Sequence, residues 1–291
     1  MSEFEALDDD LIAAVGTYFE KEGRDYTVEI YVNDELKLTQ TGVSPYFGYR
    51  TIKLNKYIPI KEGDVFKAVI TSNAAPTVNL TSVRSHYTQN ISYISFDGKS
   101  WKDAYDLGYI ACLKAYTVAD DSKIINNKNI AVDYDGGKYF TVNVVTADGI
   151  PVAGASVKFN INGVTKTVKT NSKGVAKIKI TQTPKKFTIK TTYNGKTVKN
   201  TVTVKQVLTT SKVTVKKTAK KFTLKATLKI NGKLVKGKKI TFKLNGKTYK
   251  VKTNVKGIAQ KTLNKKIINK LKKGKTYTVK VTYKKDTIKT T

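Results

Sequence analysis

Apolar and polar residues alternate along most of this chain with a period of two. In residues 26–32, tyrosine, valine and isoleucine at even positions alternate with Thr27, Glu29 and Tyr31 at odd positions. A half-buried β-strand produces this pattern because successive side chains point to opposite faces of the sheet. Similar segments, each bounded by turn residues, predict seven strands in the first part of the chain: 11–19, 26–32, 36–40, 49–54, 64–70, 91–96 and 109–118. Seven short strands are typical of a β-sandwich.

The rest of the chain contains an internal repeat with a spacing of 83 residues. Each of the following recurs as the same residue type 83 positions later: Gly149, Gly154, Phe159, Asn162-Gly163, Lys169-Thr170-Asn171, Gly174 and Ala176. This spacing fits a complete small domain, since solenoid repeats have about 20–50 residues. The Asn-Gly pairs predict tight hairpin turns in both copies. Residues 264–271 have no counterpart in the first copy and predict one or two helical turns.

These patterns predict an all-β fold in which one β-sandwich is followed by two sandwich repeats. The predicted domains are residues 1–119, 130–206 and 211–291, with a polar linker at 119–129. Cys112 is the only cysteine, so no disulfide can form within the chain. The sequence lacks a signal-peptide pattern and an apolar run of the roughly 20 residues that span a membrane. If the protein is exported, we therefore expect this chain to be a segment of a longer protein.

Charge divides the chain at the same boundary. Residues 1–120 contain 12 Lys and Arg against 17 Asp and Glu, for a net charge of −5, whereas residues 121–291 contain 42 against 5, for a net charge of +37. A polyanion could bind the basic part. Specific nucleic-acid recognition is disfavoured, because arginine is absent after Arg84 and base recognition relies on arginine. Lysines at alternating strand positions favour a solvated face, and binding of a cell-wall polymer stays open as an alternative.

Aromatic residues are concentrated in the first part of the chain, which holds 11 of the 17 tyrosines and the single tryptophan. Exposed aromatic rings with a few polar groups are typical of sugar-binding sites, although aromatics in a sandwich are more often part of the core. The candidate ligand-binding residues are Tyr46, Tyr49, Trp101 and Tyr105. Two Asn-x-Ser/Thr sequences, at Asn79 and Asn90, are glycosylation acceptors by pattern.

The sequence offers little for catalysis. Cys112 and His86 are the single cysteine and histidine, and their order and setting differ from those of a papain-like pair. Cys112 lies in an apolar strand pattern and is interpreted as a structural thiol. Asp97 and Asp103 flank a glycine-containing loop and are the candidate ligands of a calcium ion, although the spacing is not that of an EF-hand. We otherwise expect no cofactor and no enzymatic activity.

Several segments resemble known surface proteins. The two repeats resemble immunoglobulin-like domains of the invasin and intimin kind through residues 149–159 and 170–176, and their Lys, Thr, Asn and Gly content resembles adhesin-like proteins of methanogenic archaea. The first part resembles the lectin-like domain that accompanies papain-type peptidase domains in some of those proteins. The matching segments are residues 48–54, 59–66, 95–103 and 112–116.

This resemblance implies an extracellular, non-catalytic adhesin fragment in which a lectin-like sandwich binds carbohydrate at the end of an immunoglobulin-like stalk. The implied partners are surface glycans or cell-wall polymers, on a host or a neighbouring cell, and neither a specific nucleic acid nor a membrane span is expected in this segment. Two alternatives stay open at this point. The chain could be the accessory region of a surface cysteine peptidase whose catalytic domain is not in this segment, or its basic repeats could bind polyanions.

Overall fold

The computed structural model describes residues 1–75, 77–80 and 88–291. His86, the single histidine of the chain, and Thr81 of the first glycosylation sequence lie outside the described residues. The chain forms three consecutive β-sandwiches, which confirms the predicted all-β fold. We call residues 1–119 the first module and the following two sandwiches the first and second repeats.

The first module contains eleven strands among its described residues. They are β1 (Ser2–Glu5), β2 (Asp10–Phe19), β3 (Asp25–Val32), β4 (Glu35–Val43), β5 (Gly48–Pro59), β6 (Val65–Ser72), β7 (Val78–Leu80), β8 (Tyr93–Ile94), β9 (Lys102–Asp103), β10 (Tyr109–Ala111) and β11 (Leu113–Ala119). One sheet has the order β1-β6-β3-β4 and the other β11-β2-β5, and the pairs β10-β7 and β8-β9 flank them. Strand β2 is almost entirely buried, with Leu11, Ile12 and Val15 fully inaccessible.

Two predicted strands of the first module differ from the observed ones. The segment predicted as one strand at 91–96 contains only the two-residue strand β8, because the chain turns at Asp97 and returns as β9. The segment predicted at 109–118 is divided at Cys112, whose backbone N–H donates to the Thr77 carbonyl and whose carbonyl accepts from the Thr17 hydroxyl. The hydrogen bonds of Cys112 with Thr77 and Thr17 interrupt the strand. They separate β10, which pairs with β7, from β11, which pairs with β2.

The first repeat has the two-sheet arrangement of an immunoglobulin-like sandwich. Its strands are β12 (Lys123–Ile125), β13 (Ile130–Asp133), β14 (Tyr139–Val145), β15 (Ser156–Ile161), β16 (Val164–Lys169), β17 (Val175–Lys179), β18 (Lys185–Tyr193) and β19 (Lys196–Lys205). A sheet with the order β12-β14-β17 faces one with the order β13-β19-β18-β15-β16, in which β13 and β19 are parallel. Strand β12 lies in the segment predicted as a linker, because Ile124 packs against the core as β12 pairs with β14.

The second repeat has a closely similar arrangement. Its elements are β20 (Leu208–Thr210), β21 (Lys221–Ile230), β22 (Lys233–Leu234), β23 (Lys239–Leu244), β24 (Lys247–Lys252), β25 (Ile258–Asn264), α1 (Lys265–Asn269), β26 (Val279–Tyr283) and β27 (Asp286–Thr290). One sheet contains β20, β21, β22 and β25, and the other has the order β24-β23-β26-β27. Helix α1 occupies the predicted insertion.

Residues that recur every 83 positions make the same contacts in both repeats. Thr170 is buried, and its hydroxyl donates to the Val152 carbonyl at 2.7 Å and accepts from the Ala155 N–H at 2.9 Å. Thr253 makes the matching bonds to Val235 at 2.6 Å and Lys238 at 2.9 Å. A buried hydroxyl that satisfies two backbone groups fixes the loop before the following hairpin. The repeated residues therefore encode a repeated local structure.

The first module and the first repeat meet through backbone and tyrosine contacts. The Tyr57 N–H donates to the Pro151 carbonyl, and the Ala153 N–H donates to the Tyr57 carbonyl. The Tyr193 hydroxyl donates at 2.6 Å to the carboxylate of Asp120, the residue that directly follows the first module. Burial and this carboxylate raise the pKa of Tyr193 above its usual range. The hydroxyl therefore keeps its proton and the contact at neutral pH.

A joint between the two repeats uses two of the five carboxylates that follow residue 120. Asp135 accepts hydrogen bonds from the Tyr283 hydroxyl and the Lys284 ammonium, each at 2.7 Å. Asp133 accepts the Asn231 N–H at 2.7 Å. Burial by itself would raise the pKa of Asp135, but the hydrogen bonds from Lys284 and Tyr283 outweigh it and hold the pKa below its usual value. The joint is thus a hydrogen-bonded contact rather than a bare linker.

We predict that Asp135→Ala loosens this joint, because Tyr283 and Lys284 lose their shared acceptor. The distribution of distances between spin labels placed on the two repeats should widen. Asp148→Ala, which removes the same charge from an exposed turn, should leave the distribution unchanged.

Acid should have the same effect on the joint as the Asp135→Ala substitution. Since the folded-state pKa of Asp135 is depressed, its contribution is present above the unfolded pKa of about 3.9 and is lost as the pH falls through the folded value.

Candidate functional site

A groove in the first module has a volume of about 680 Å³. This volume lies within the range of about 300–1,000 Å³ that is usual for ligand sites. Strands β2, β6, β8 and β11 and the loop after β8 form its walls. Its lining includes three exposed aromatic residues: Tyr18 (48%), Phe96 (86%) and Trp101 (38%). The groove therefore presents apolar faces to solvent.

The turn that holds Phe96 and Trp101 is organised by Asp97. Its carboxylate accepts the N–H groups of Lys99 at 2.8 Å and Ser100 at 2.7 Å, and the hydroxyls of Ser95 at 2.9 Å and Ser100 at 2.8 Å. These hydrogen bonds, led by the one from the Ser100 N–H, hold the pKa of Asp97 well below its usual range. The carboxylate therefore stays ionised and fixes the turn that places the two aromatic rings at the groove.

The charged side chains that line the groove are acidic. Its lining includes the carboxylates of Glu20 and Asp97, and lysine and arginine are absent from the described lining residues. Glu20 forms an ion pair with Arg24, which is not among the residues that line the groove. The Ser72 hydroxyl is buried at the wall and has no hydrogen-bond partner among the described residues. The groove thus offers hydroxyl, amide and carboxylate groups beside its aromatic rings.

Three tyrosines form a platform next to the groove, on the outer face of β11-β2-β5. The Tyr49 hydroxyl is hydrogen-bonded to the Tyr116 hydroxyl, and the Tyr49 ring meets the Tyr18 ring edge to face at 5.1 Å. Gly16 lies beneath, where a Cβ atom would overlap the Tyr49 hydroxyl. Desolvation and the bond to Tyr116 raise the pKa of Tyr49 to about 12. Because Tyr18 also lines the groove, the platform and the groove are continuous.

The structure separates the four aromatic residues predicted to bind a ligand. Trp101 lines the groove, and Tyr49 belongs to the adjoining platform. Tyr46 stacks on Arg50, whose guanidinium carbon lies 3.4 Å from the ring centroid. Tyr105 begins a 3-10 helix and is not among the residues that line the groove. The geometry therefore makes Trp101 and Tyr49 the stronger candidates.

The sequence interpretation missed Phe96, Tyr18 and Tyr116 as candidate binding residues. Phe96 stands between Ser95 and an Asp-Gly pair, and an aromatic ring in such a turn is a signal of exposure. A glycine inside an apolar strand, here Gly16, signals the close approach of another group. No comparable signal distinguishes Tyr18, since its neighbours in β2 are buried.

The two candidate calcium ligands are occupied by local hydrogen bonds. Asp103 accepts the Asn90 N–H at 2.6 Å and the Tyr105 N–H at 3.0 Å, and Asp97 holds its own turn. Within residues 1–75, 77–80 and 88–291, no group of three or more His, Cys, Asp or Glu side chains could hold a metal ion. The two carboxylates therefore act as loop-organising groups. A cluster of acidic side chains that could bind calcium is absent from the described residues.

Cys112 lies in the groove lining and is partly exposed. Burial raises the pKa of its thiol, so the thiol is protonated at neutral pH. A protonated thiol is a weak nucleophile. Cys112 therefore fits the predicted structural role, and as the single cysteine of the chain it also provides a natural probe of the groove.

Comparison with known proteins gives one assignment by sequence. Residues 3–117 match the family model described as "Lectin like domain". No curated protein matches the chain. The part of the chain that the structure describes has no helix long and apolar enough to cross a membrane. The matched residues span nearly all of the first module, including the groove and the platform.

Solved structures similar to the chain include bacterial adhesins and fibronectin(III)-like modules. A structure of a 1.5-MDa bacterial ice-binding adhesin is 13% identical, covers 91% of this chain and 83% of that chain, and has a TM-score of 0.21. A Ca²⁺-stabilised adhesin of an Antarctic bacterium is 16% identical, with coverage of 96% and 67% and a TM-score of 0.21. Fibronectin(III)-like modules of Clostridium thermocellum CbhA are 11% identical, with coverage of 58% and 89% and a TM-score of 0.20. Such low scores carry no argument about function.

Proposed function

We propose that the chain is a non-catalytic surface adhesion protein whose first module binds carbohydrate in the groove. The observation that carries this proposal is the groove itself, where Tyr18, Phe96 and Trp101 surround a space of about 680 Å³ whose mostly apolar lining includes several polar groups. Pyranose rings have apolar C–H faces that pack on aromatic rings, while their hydroxyls need hydrogen-bond partners. The match of residues 3–117 to a lectin-like domain supports the same ligand class.

The charge of the groove restricts the class of sugar that it can bind. Glu20 and Asp97 face it, and a basic side chain is absent from its described lining. A sulfated or carboxylated sugar would meet like charge there, at a cost in affinity. We therefore propose a neutral or amino-substituted glycan as the ligand of the first module.

Glycoside hydrolysis is the competing function, because two carboxyl groups line one groove. A glycosidase needs one carboxyl group with a raised pKa as its general acid. The pKa of Asp97 is instead held well below its usual range by four hydrogen bonds, and Glu20 is in an ion pair with Arg24. Both carboxylates have structural partners, which favours binding without catalysis.

The two repeats would act as the stalk of this protein. Contacts at both junctions limit bending between neighbouring sandwiches, so the groove would be held away from the surface on which the protein is anchored. An extracellular location on an archaeal cell and a role beside a surface peptidase follow from the resemblance alone, and both stay predictions.

A glycan panel tested against the full chain at low and high salt would examine this proposal. We expect a neutral or amino glycan to bind, and the affinity to change little with salt, because the contacts are aromatic and hydrogen-bonded. The bound glycan should also slow the reaction of Cys112 with a thiol reagent, since Cys112 lines the groove. Binding that leaves the Cys112 reaction rate unchanged would place the ligand elsewhere and contradict the groove assignment.

A further inference from the structure

A row of three lysines crosses the second repeat on the outer face of the sheet β24-β23-β26-β27. Lys243 on β23 lies directly opposite Lys280 on β26, and Lys280 lies directly opposite Lys289 on β27. All three side chains are exposed. Their sequence neighbours Phe242 and Val281 are buried, as the alternation of a strand requires. The register therefore places three ammonium groups in one line across the sheet.

This row opposes the stability of the fold. Cβ atoms of residues directly opposite each other are about 4.5–5.5 Å apart, and like charges in such pairs are destabilising. Six ion pairs are found in the part of the chain that the structure describes, and none includes a lysine of the row. Because these lysines destabilise the fold and have no ion-pair partner within the chain, their arrangement is suited to binding an external anion.

Residues 211–291 have almost no acidic side chains to neutralise the row. They contain 27 lysines and one aspartate, Asp286. Asp286 is fully buried, and its carboxylate accepts the N–H groups of Val207 at 2.8 Å and Leu208 at 3.2 Å. The carboxylates of the preceding repeat that come near, Asp133 and Asp135, are used in the joint. Neutralisation of the row must therefore come from solvent ions or a bound anion.

A row of hydroxyls runs beside the lysines. Thr241, Thr282 and Thr287 occupy directly opposed positions two residues along the same strands, with Lys250 at the edge. The hydroxyls of Thr282 and Thr287 are 3.1 Å apart and hydrogen-bonded. Parallel rows of ammonium and hydroxyl groups complement a polymer that carries both anionic groups and sugar hydroxyls.

The first repeat has a shorter version of the row. Lys190 and Lys199 are directly opposite each other, but Asn160 stands opposite Lys190, where the second repeat has Lys243. The two repeats therefore differ in charge density at this place while sharing the same strands. The second repeat has the stronger of the two positive faces.

We propose that this face of the second repeat binds a linear anionic polysaccharide, with Lys243, Lys280 and Lys289 at the centre of the contact. A nucleic acid fits less well, because the two rows contain only lysine and threonine, including Thr248 at the edge strand. They lack the aromatic rings on which bases stack. The site is independent of the groove in the first module, whose charge has the opposite sign. One chain would thus hold two glycan classes at two places.

The test compares two triple variants of the full chain with the same change in net charge. Lys243→Gln, Lys280→Gln and Lys289→Gln remove the row. Lys221→Gln, Lys225→Gln and Lys229→Gln remove three exposed lysines from β21, which belongs to the other sheet. The probes are heparin, alginate, neutral dextran and single-stranded DNA, each measured at several salt concentrations.

We expect the row variant to lose about tenfold or more in affinity for heparin and alginate and to show a shallower salt dependence. The β21 variant should lose less than about threefold, and any binding of dextran, which would involve the groove of the first module, should be equal in the two variants. Equal losses in both variants would mean diffuse attraction by net charge and would overturn the proposal. So would tighter binding of single-stranded DNA than of either polysaccharide. A second readout needs no ligand: in low salt the row variant should melt at a higher temperature than the parent protein, because the like-charge contacts are relieved.

Discussion

Replacement of Trp101 by alanine is expected to lower the affinity of the first module for its glycan by about 30-fold or more. Truncation of a tryptophan at the centre of a binding site typically costs about 2 kcal/mol or more. Trp101 is 38% exposed, so part of its ring is available to a ligand in the groove. The turn that holds it is fixed by Asp97, so a bound sugar would not have to order this segment. The affinity is measured by titrating the protein with the glycan that the panel selects and recording the heat of binding by calorimetry.

Two further variants make this result interpretable. Trp101→Phe should keep most of the affinity, since it keeps an aromatic face. Tyr105→Ala removes an exposed aromatic residue of the same region that does not line the groove, and it should change the affinity by less than about twofold. If the two alanine variants lose affinity equally, the groove is not the binding site. Unfolding temperatures of all three should be recorded to verify that the module stays folded.

Phe159→Ala is expected to destabilise the first repeat by about 3–5 kcal/mol, the cost of truncating a fully buried phenylalanine. Phe159 has no exposed surface and packs edge to face on Phe140, with 6.1 Å between the ring centroids. Phe242 occupies the matching position of the second repeat and is equally buried. A loss of this size is a large part of the 5–15 kcal/mol that stabilises a typical domain.

Thermal unfolding of the full chain would check this prediction in both repeats. Phe159→Ala should move a transition of the first repeat to lower temperature, and Phe242→Ala should do the same for the second. Each variant should leave glycan binding by the first module unchanged at temperatures where that module is folded. Identical effects of the two variants on a single shared transition would show instead that the repeats unfold as one cooperative unit.

The repeats were the part of the structure that sequence patterns described best. The 83-residue spacing aligns β15 with β23 and β16 with β24 without a shift, and the Asn-Gly pairs form the hairpin turns. Local signals suffice here because hairpins join neighbouring residues, and their turns need the positive φ angles that Asn162 and Gly163 adopt. Elements with weak local signals, such as the short strands β7 and β10, depend on partners distant in the chain.

The candidate site was predicted only in part. Trp101 and Tyr49 could be selected because aromatic residues in loops and at strand ends are frequent ligand contacts, but Tyr46 and Tyr105 satisfied the same criterion and belong neither to the groove nor to the platform. Asp97 and Asp103 were selected as calcium ligands for their charge, and the structure gives them the N–H donors of their own turns instead. A residue type and its local setting do not specify which other side chains will lie nearby.

The amino-acid sequence by itself determined the all-β class, the repeated sandwich and the change from acidic to basic composition, because alternation, turn residues and charge are properties of short segments. Only the tertiary structure decided that Tyr18, Phe96 and Trp101 surround one groove and that Lys243, Lys280 and Lys289 form one row. Both arrangements depend on which strands pair and in which register. Register is set by the burial of whole sheet faces, and that information is spread over the entire chain.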